Sequence, residues 1–469
     1  MRSSILLMGL IAWSCAPKLT VREASKALPA QYAASADTVN SASMDWKTYF
    51  QDEHLIALID TALFRNQELN IFMQEMEILR NEVQARKGEY LPSVGYGAGM
   101  GLDKVGRYTR LGALEEGLDI KPEKEFPEPL SDFTVGAFAT WEVDIWRKLR
   151  NAKKSAFTRY LASVDGRNFM VTNLVAEIAN SYYELLALDN ELELVRQNIQ
   201  IQSDALELVK LQKQSARVTE LAVKRFEAQL LDTRSIEYLI RQDIVETENR
   251  INFLLGRFPQ PIQRSSTTFS TFVPGVVNAG IPVQLLENRP DIRQAELELA
   301  AAKLDVDVAR ANFYPVFGIS AGLGLQSFNP GDLVKTPESM LYYLAGDLFG
   351  PLVNRKAIKA FYANANLQQQ QAVITYEQVV LNAYIEVANQ LANINNLQNS
   401  YQLKSDQVDA LIASVDISSS LFRSARADYI EVLLTQEEAL ESRFELIETK
   451  MLQIHAWVNV YKALGGGWK

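Results

Sequence analysis

A block of eleven residues occurs twice in this chain, and it constrains the fold more than any other feature. Leu91–Gly101, with the sequence LPSVGYGAGMG, returns as Tyr314–Gly324, with the sequence YPVFGISAGLG, and one proline and three glycines keep their spacing. Self-similarity at a fixed separation indicates repeated structural units. Shorter matches follow in the same order along both halves, so the sequence predicts an internal two-fold repeat.

Two segments in each half alternate apolar residues with small or polar ones. An alternation with a period of two predicts β-strands. Strands of about ten residues with one apolar face are typical of a membrane β-barrel wall. The predicted strands are Pro92–Leu102, Phe133–Val143, Pro315–Leu325 and Met340–Leu348. The segment between the first two, Asp103–Leu130, is predicted to be a loop.

The outward face of these strands can also be predicted from the alternation. We expect Val135, Ala137 and Ala139 to face lipid and the alternate residues to face a lumen. Trp141 and Trp146 follow close behind, and we expect both rings near a membrane interface, where tryptophan is favoured.

Very long helices are predicted in both halves. Trp146–Gln214 contains no proline and only one glycine, and Ala357–Leu421 contains neither. Each stretch could form a helix about 100 Å long, and its narrow apolar stripe is typical of coiled-coil packing. Two ordinary soluble bundle domains are the alternative, but they would not explain the glycine-alternating strands. Trp46–Lys87 also has helical spacing, and we expect Gly88 and the proline that follows to end that helix.

Four strands are too few to close a barrel, since known membrane barrels have at least eight. An unpaired strand edge in lipid leaves backbone groups unsatisfied at several kcal/mol each. The sequence therefore predicts an oligomer, and a homotrimer would supply twelve strands.

The amino terminus is typical of an export signal. Arg2 precedes the apolar run Ile5–Trp13, and small residues lead to Cys15, the only cysteine. The run is far shorter than the roughly 20 residues a membrane-spanning helix needs. The segment ending at Cys15 is similar to a lipobox, in which the cysteine is acylated and becomes the mature first residue. A free cysteine within a discarded signal peptide is the alternative.

Six regions are predicted along the chain. They are a signal peptide at 1–15, an N-terminal extended segment at 16–45, a first repeat at 46–256, a linker at 257–282, a second repeat at 283–465 and a tail at 466–469.

Composition excludes several functions. The net charge of −10 argues against a nucleic-acid partner, because no basic stripe is available to neutralise phosphates. With only His54, His455 and one cysteine, neither a His/Cys metal site nor a Cys/His nucleophile pair is expected. No enzymatic activity and no cofactor are predicted, apart from covalent lipid on Cys15.

Three longer blocks resemble the TolC-like outer membrane efflux proteins, in particular the NodT/OprM-type lipoproteins. They are Trp46–Leu69, Trp141–Trp146 and Leu285–Glu296, the last of which contains Arg289-Pro290-Asp291 and runs on towards Pro315. The motif also has a local explanation, because Pro290 suits the first position of a helix and Asp291 suits its positive end.

The resemblance implies a mostly α fold with a membrane β-barrel. Long coiled-coil helices would form a periplasmic α-barrel, and four strands per protomer would form a 12-stranded trimeric barrel. It implies a lipid-anchored exit duct of a tripartite efflux pump in the outer membrane. The partners would be a periplasmic adaptor and an inner-membrane transporter of the resistance-nodulation-division type. A port of type I protein secretion and, in another class, a structural coiled-coil surface protein remain alternatives.

The resemblance also implies two helix-turn-helix tips at the periplasmic end. The adaptor-docking candidates are Ala216, Arg217 and Ala425, and alanine stands at both tips where the family usually has glycine. We therefore expect the tip turns to differ in backbone conformation.

A periplasmic gate is predicted at the second tip, around Leu421–Leu434. Its candidate residues are Arg423, Arg426, Asp428, Glu431 and Leu434. Carboxylates arranged in a ring by three-fold symmetry would attract cations and repel one another. Leu434 replaces a second acidic position of the family, so an apolar ring is expected behind the acidic one. Solvated tip charges that contact the adaptor are the alternative.

Overall fold

The computed structural model describes residues 17, 19–32, 40–265, 269, 271–275, 277–353, 355–424 and 426–468. Its principal helices are α1 Trp46–Phe50, α2 Glu53–Arg65, α3 Gln67–Tyr90, α4 Arg110–Gly117, α5 Lys148–Gln214, α6 Glu220–Leu254, α7 Leu285–Asn288, α8 Pro290–Ala311, α9 Lys356–Arg423 and α10 Tyr429–Ala463. Its strands are β1 Ser93–Asp103, β2 Asp119–Lys121, β3 Lys124–Glu125, β4 Leu130–Val143, β5 Val316–Ser327 and β6 Met340–Phe349.

Four of the strands form one antiparallel sheet in the order β1-β4-β5-β6. They correspond to the four strands predicted from the alternation, and each observed end lies within three residues of the predicted one. In the described part of the chain, the outer edges of β1 and β6 have no strand partner.

The register divides this sheet into two chemically different faces. Side chains alternate between the faces along each strand, and directly paired residues share a face. One side, the apolar face, includes Val94, Tyr96, Met100, Leu102, Phe133, Val135, Ala137, Ala139, Ile319, Leu323, Tyr342, Leu344 and Leu348. The other, the glycine-rich face, includes Gly95, Gly97, Gly99, Gly101, Thr134, Gly136, Thr140, Gly318, Ser320, Gly322 and Gly324. Most of these apolar side chains are exposed, and Tyr96 is 96% and Leu344 80% exposed.

The predicted long helices are confirmed. α5 has 67 residues and α9 has 68, which corresponds to roughly 100 Å each. α5 is followed by α6 after a short turn, and α9 is followed by α10 in the same way.

The single helix predicted for Trp46–Lys87 is wrong, because three helices occupy this region. Gln51 adopts a left-handed backbone conformation with φ of 56° and ends α1. Asn66 ends α2, and its side chain accepts a hydrogen bond from Leu69 N at 2.8 Å, which caps α3. Gly88 does not end the helix, since α3 continues to Tyr90.

The segment predicted as a loop at Asp103–Leu130 also contains regular structure. It holds the short helix α4 and the β2–β3 hairpin. Thr109 caps α4 by accepting a hydrogen bond from Gly112 N at 3.2 Å. The composition of this segment therefore hid a locally capped helix.

The contacts divide the chain into two compact units. The first contains the described residues up to Glu23, together with Glu77–Leu161 and Leu297–Ile374, and it includes the sheet. The second contains Ala24–Met76, Ala162–Glu296 and the described residues from Thr375 onward.

The second unit holds the larger apolar core. Tyr49 lies at its centre, with its ring stacked on Trp457 at 4.2 Å and on Tyr461 at 4.1 Å between centroids. The Tyr49 hydroxyl donates to Trp457 O at 2.9 Å. Since Tyr49 precedes Trp457 by about 400 residues, this core joins segments that lie far apart in the sequence.

The described residues up to Glu23 pack on the helices of the first unit. Gln369, which is completely buried, holds the backbone of Arg22: its Nε2 donates to Arg22 O at 2.7 Å, and its Oε1 accepts from Arg22 N at 3.3 Å. Leu19 packs against a small core that contains Phe313 and Tyr362. Cys15 lies outside the described residues.

None of the described helices is both long and apolar enough to cross a membrane.

Candidate channel wall and helix tips

The glycine-rich face of the sheet carries a polar cavity near the helical end of the strands. Its volume is about 510 Å³, and it is lined by Ser93, Thr140, Glu142, Gly318, Ser320 and Asp347 among others. Glu142, Gly318 and Asp347 are directly paired across β4, β5 and β6. Two carboxylates therefore share one row, and Lys148 forms a salt bridge with Glu142 at 2.8 Å.

Both tryptophans predicted at an interface lie near this end of the sheet. Trp146 Nε1 donates to Pro315 O at 2.8 Å, and its ring stacks on Tyr314 at 4.7 Å. Trp141 Nε1 donates to Tyr90 O at 3.1 Å. Each indole nitrogen is thus satisfied by a backbone carbonyl next to a strand.

At the second tip, one helix ends and another begins within a few residues, as predicted. Arg423 is the last residue of α9. Asp428 precedes α10 and accepts a hydrogen bond from Tyr429 N at 2.8 Å, and Glu431 lies in the first turn of α10. Among the described residues of this tip, neither carboxylate forms a salt bridge with Arg423 or Arg426. Ala425 lies outside the described residues. Asp428 and Glu431 thus stand beside the positive end of a helix.

The first tip turns through a left-handed alanine. Ala216 has φ of 55°, a conformation that costs a residue with a Cβ roughly 1–2 kcal/mol. Arg217 N donates to Gln212 O at 2.9 Å, which closes the end of α5. Lys213 forms a salt bridge with Glu220 across the turn. An alanine therefore adopts here the conformation that glycine adopts most readily.

Leu434 faces a groove between α6 and α10 near the tips. The groove has a volume of about 370 Å³ and is lined by Arg225, Asp232, Ile430, Leu433, Leu434 and Glu437 among others. Leu434 remains 51% exposed, whereas Leu433 is buried. The tip therefore presents an apolar side chain one turn beyond Glu431.

The motif containing Arg289 builds a buried ion network in the second unit. Pro290 starts α8, as predicted. Arg289 is only 7% exposed, and it donates to both carboxylate oxygens of Asp291, at 3.0 and 2.7 Å, and to Glu386 at 2.7 Å. It also donates to Ala463 O at 2.8 Å. Sequence reasoning assigned no partner to Arg289, because two of its partners lie far away along the chain.

An acidic cleft lies between α5, α6 and α10. It has a volume of about 490 Å³, and Glu191, Glu441 and Glu448 are among the residues that line it. Burial raises the pKa of Glu191 to about 7, with smaller contributions from Glu448 and Asp243. Glu191 is thus a carboxyl that titrates near neutral pH.

We expect Glu191→Gln to stabilise the protein at pH 8 and to leave its stability unchanged at pH 4. A raised pKa means that Glu191 ionises less readily in the folded chain than in the unfolded chain, so its ionisation destabilises the fold. This loss of stability is complete above about pH 7 and absent below the unfolded pKa of 4.5. The expected gain in the free energy of unfolding is on the order of 2 kcal/mol. This is less than the whole pKa shift would give, because the cleft is open to water. Thermal unfolding at both pH values measures it, with Glu193→Gln on the exposed side of the same helix as control. A gain of equal size at both pH values would contradict this assignment.

The two histidines have ordinary structural surroundings. His54 lies in the first turn of α2, and the ring of His455 contacts Asn180 O at 3.0 Å through Nε2. Burial lowers the pKa of His455. Within the described ranges, no group of three or more histidine, cysteine, aspartate or glutamate residues is arranged to hold a metal ion.

Comparison with known proteins identifies the family. The model of the outer membrane efflux protein family matches residues 58–257 and 281–466. The pyoverdine export outer membrane protein OpmQ of Pseudomonas aeruginosa is 26% identical over 469 residues, which covers 100% of this chain and 96% of that protein. The probable outer membrane lipoprotein SilC of Salmonella typhimurium is 23% identical over 446 residues, covering 94% of this chain and 93% of SilC.

Solved structures show the same fold. The open state of the MtrE outer membrane channel of Neisseria gonorrhoeae superposes with a TM-score of 0.84 at 22% identity, covering 97% of this chain and 99% of that one. The outer-membrane channel OprN gives a TM-score of 0.84 at 22% identity over the same shares. The relatives named above are export proteins, lipoproteins and channels rather than enzymes. This chain therefore belongs to the outer membrane efflux protein family, and it is an efflux channel of the outer membrane.

Proposed function

We propose that three copies of this chain close edge to edge into one exit duct of a tripartite efflux pump. The observation that carries the proposal is the sheet with two unpaired outer edges and one exposed apolar face. In hydrocarbon, each unpaired backbone group costs several kcal/mol, so β1 of one copy is expected to pair with β6 of the next. The two edges run in opposite directions, which makes that pairing antiparallel like the rest of the sheet.

Barrel size favours three copies over two. Two copies would supply eight strands, and the interior of an eight-stranded barrel is just wide enough for its own side chains to fill. Three copies would supply twelve strands and leave a lumen. In this arrangement the apolar face, including Val135, Ala137 and Ala139, contacts lipid, and the glycine-rich face lines the lumen. Trp141 and Trp146 lie at the membrane interface nearest the helices.

The helices extend this duct into the periplasm. We infer that 46–256 and 283–465 are two structural repeats, joined by 257–282 and flanked by 16–45 and 466–469. Each repeat contributes one pair of long helices, α5 with α6 and α9 with α10. Six pairs from three copies would form a periplasmic α-barrel.

The tips are the expected contact with the rest of the pump. A periplasmic adaptor would dock around Ala216, Arg217 and Ala425, and it would connect the duct to an inner-membrane transporter of the resistance-nodulation-division type. The duct itself conducts passively, and the transporter supplies the energy.

We propose that the second tip is the periplasmic gate. Three-fold symmetry would arrange Asp428 and Glu431 in rings, with Leu434 as an apolar ring one turn further and with Arg423 and Arg426 beside them. The absence of salt bridges between these arginines and carboxylates in the described part of the tip leaves the acidic charge available to cations. Docking of the adaptor on the same charges is the alternative.

Planar-bilayer recordings test the gate. Asp428→Asn and Glu431→Gln are each expected to reduce cation selectivity, because each removes three charges from a narrow neck in the trimer. Asp409→Asn, on the exposed side of α9 about four turns from the tip, is the matched control. Unchanged conductance and selectivity in both tip variants would leave the tip as a docking surface only.

We further propose that Cys15 is the acylated first residue of the mature protein. The segment that follows it is held in the first unit, where Leu19 packs near Phe313, three residues before β5. Intact-mass spectrometry is expected to find a chain that begins at an acylated Cys15 and to find no lipid on Cys15→Ser. A mature terminus elsewhere, or an unmodified Cys15, would refute the anchor.

A further inference from the structure

One cross-strand row of the sheet places two aromatic residues on the glycine-rich face. Gly95, Phe138, Gly322 and Tyr343 are directly paired across β1, β4, β5 and β6. The row on one side of it consists of Ser93, Thr140, Ser320 and Ala345, and the row on the other side consists of Gly97, Gly136, Gly324 and Leu341. Phe138 and Tyr343 are therefore the only rings among these three rows.

Ring atoms of both side chains lie over Gly322. A Cβ at Gly322 would lie 2.4 Å from Tyr343 Cε1 and 3.1 Å from Phe138 Cδ1. On the other side, a Cβ at Gly97 would lie 3.5 Å from Phe138 Cε2. The glycines thus let the two rings cover the sheet surface instead of projecting from it, and Tyr343 remains 43% exposed.

We propose that Phe138 and Tyr343 form an aromatic band inside the channel that binds planar, apolar solutes on their way out. This inference rests on the proposed three-copy barrel, in which the band would contain six rings, two from each copy. Aromatic side chains can stack on a planar solute, and such ring contacts contribute modest free energy. A planar cation gains an additional cation–π attraction. Weak binding suits a conduit, because a solute must also leave.

Gly322 sets the orientation of the band. The atom nearest to an added Cβ is the far part of the Tyr343 side chain, not backbone, so an alanine would displace the ring and leave the strand in place. Displacement away from the wall moves the ring towards the lumen. Gly322 is therefore assigned as a residue that determines the width of the channel at this level.

Single-channel recordings with ethidium as the probe test the band on the full-length protein. Replacing both rings by leucine, Phe138→Leu with Tyr343→Leu, keeps apolar bulk but removes the planar surface. We expect the residence time of ethidium block to fall about fivefold. Tyr342→Leu is the matched control, because Tyr342 is the neighbouring tyrosine on the apolar face. Equal residence times in the double variant and in the parent would overturn the band.

A second pair of variants tests the role of Gly322. Gly322→Ala is expected to lower open-channel conductance, whereas Gly95→Ala in the same row should not, since a Cβ at Gly95 has no neighbour within 4 Å. Equal conductance in both variants would overturn the assignment of Gly322. Failure of the proposed barrel has a different signature, because the unmodified protein would then form no channels at all.

Discussion

Arg289→Met is expected to lower the free energy of unfolding by about 3–5 kcal/mol. Methionine keeps much of the apolar bulk but removes every donor, and the carboxylates of Asp291 and Glu386 then lose their shared cation. Asp291 is only 17% exposed, so its charge is left without compensation where water has little access. Ala463 O also loses the donor that ties α10 to this network.

Urea unfolding of the detergent-solubilised protein, followed by circular dichroism, measures this loss. Arg80→Met is the matched control, because Arg80 forms an exposed salt bridge with Glu77 on α3, and such pairs contribute about 0–1 kcal/mol. If the two variants unfold at the same urea concentration, the buried network has no special role.

Gly136→Val is expected to prevent assembly of the channel. Gly136 is directly paired with Gly324, and a Cβ at Gly136 would lie 2.7 Å from Leu323 O and 2.8 Å from Gly324 Cα. Both neighbours are backbone atoms of β5, so neither can turn away. Overpacking of a well-packed interior destabilises a protein by about 1–3 kcal/mol per site. A trimer would contain three such sites.

Gel electrophoresis of unheated samples measures the folded oligomer, and we expect at least a tenfold loss for Gly136→Val, which follows from about 1.4 kcal/mol. Gly99→Val is the control on the same face, since a Cβ at Gly99 has no neighbour within 4 Å. Normal assembly of Gly136→Val would show that β4 and β5 do not approach as closely as described.

The elements that the sequence predicted well are those specified locally. β1 and β5 are recognisable because glycines alternate with apolar residues over a complete strand, and α9 is recognisable because no glycine or proline interrupts it. A period of two or a long uninterrupted stretch needs no knowledge of distant partners.

Some of the features that the sequence missed depend on contacts between distant residues. The break at Asn66 has no glycine or proline, and the Asn66 side chain that caps α3 also donates to Leu254 O at 2.9 Å, 188 residues away. Only the capping role of Asn66 could be predicted from the local sequence, because asparagine is favoured at the residue before a helix. No local pattern predicted that β4 pairs with β5, because the whole α5–α6 segment separates the two strands along the chain.

The candidate sites divide in the same way. Pro290 was predicted to start a helix from its fixed φ, whereas the ion pair between Arg289 and Glu386 joins residues 97 positions apart. The gate residues were found through family resemblance, and the structure adds the cap by Asp428 and the exposure of Leu434. The aromatic row had no sequence signal, because it depends on the register between four strands.

One channel is expected to contain three copies of this chain. The most direct test is the mass of the purified protein in detergent, measured by light scattering with the detergent contribution subtracted. Three protein masses per particle are predicted, because twelve strands close a barrel and leave a lumen. A stable monomer with its own closed barrel, or a particle of two copies that conducts ions, would contradict the account.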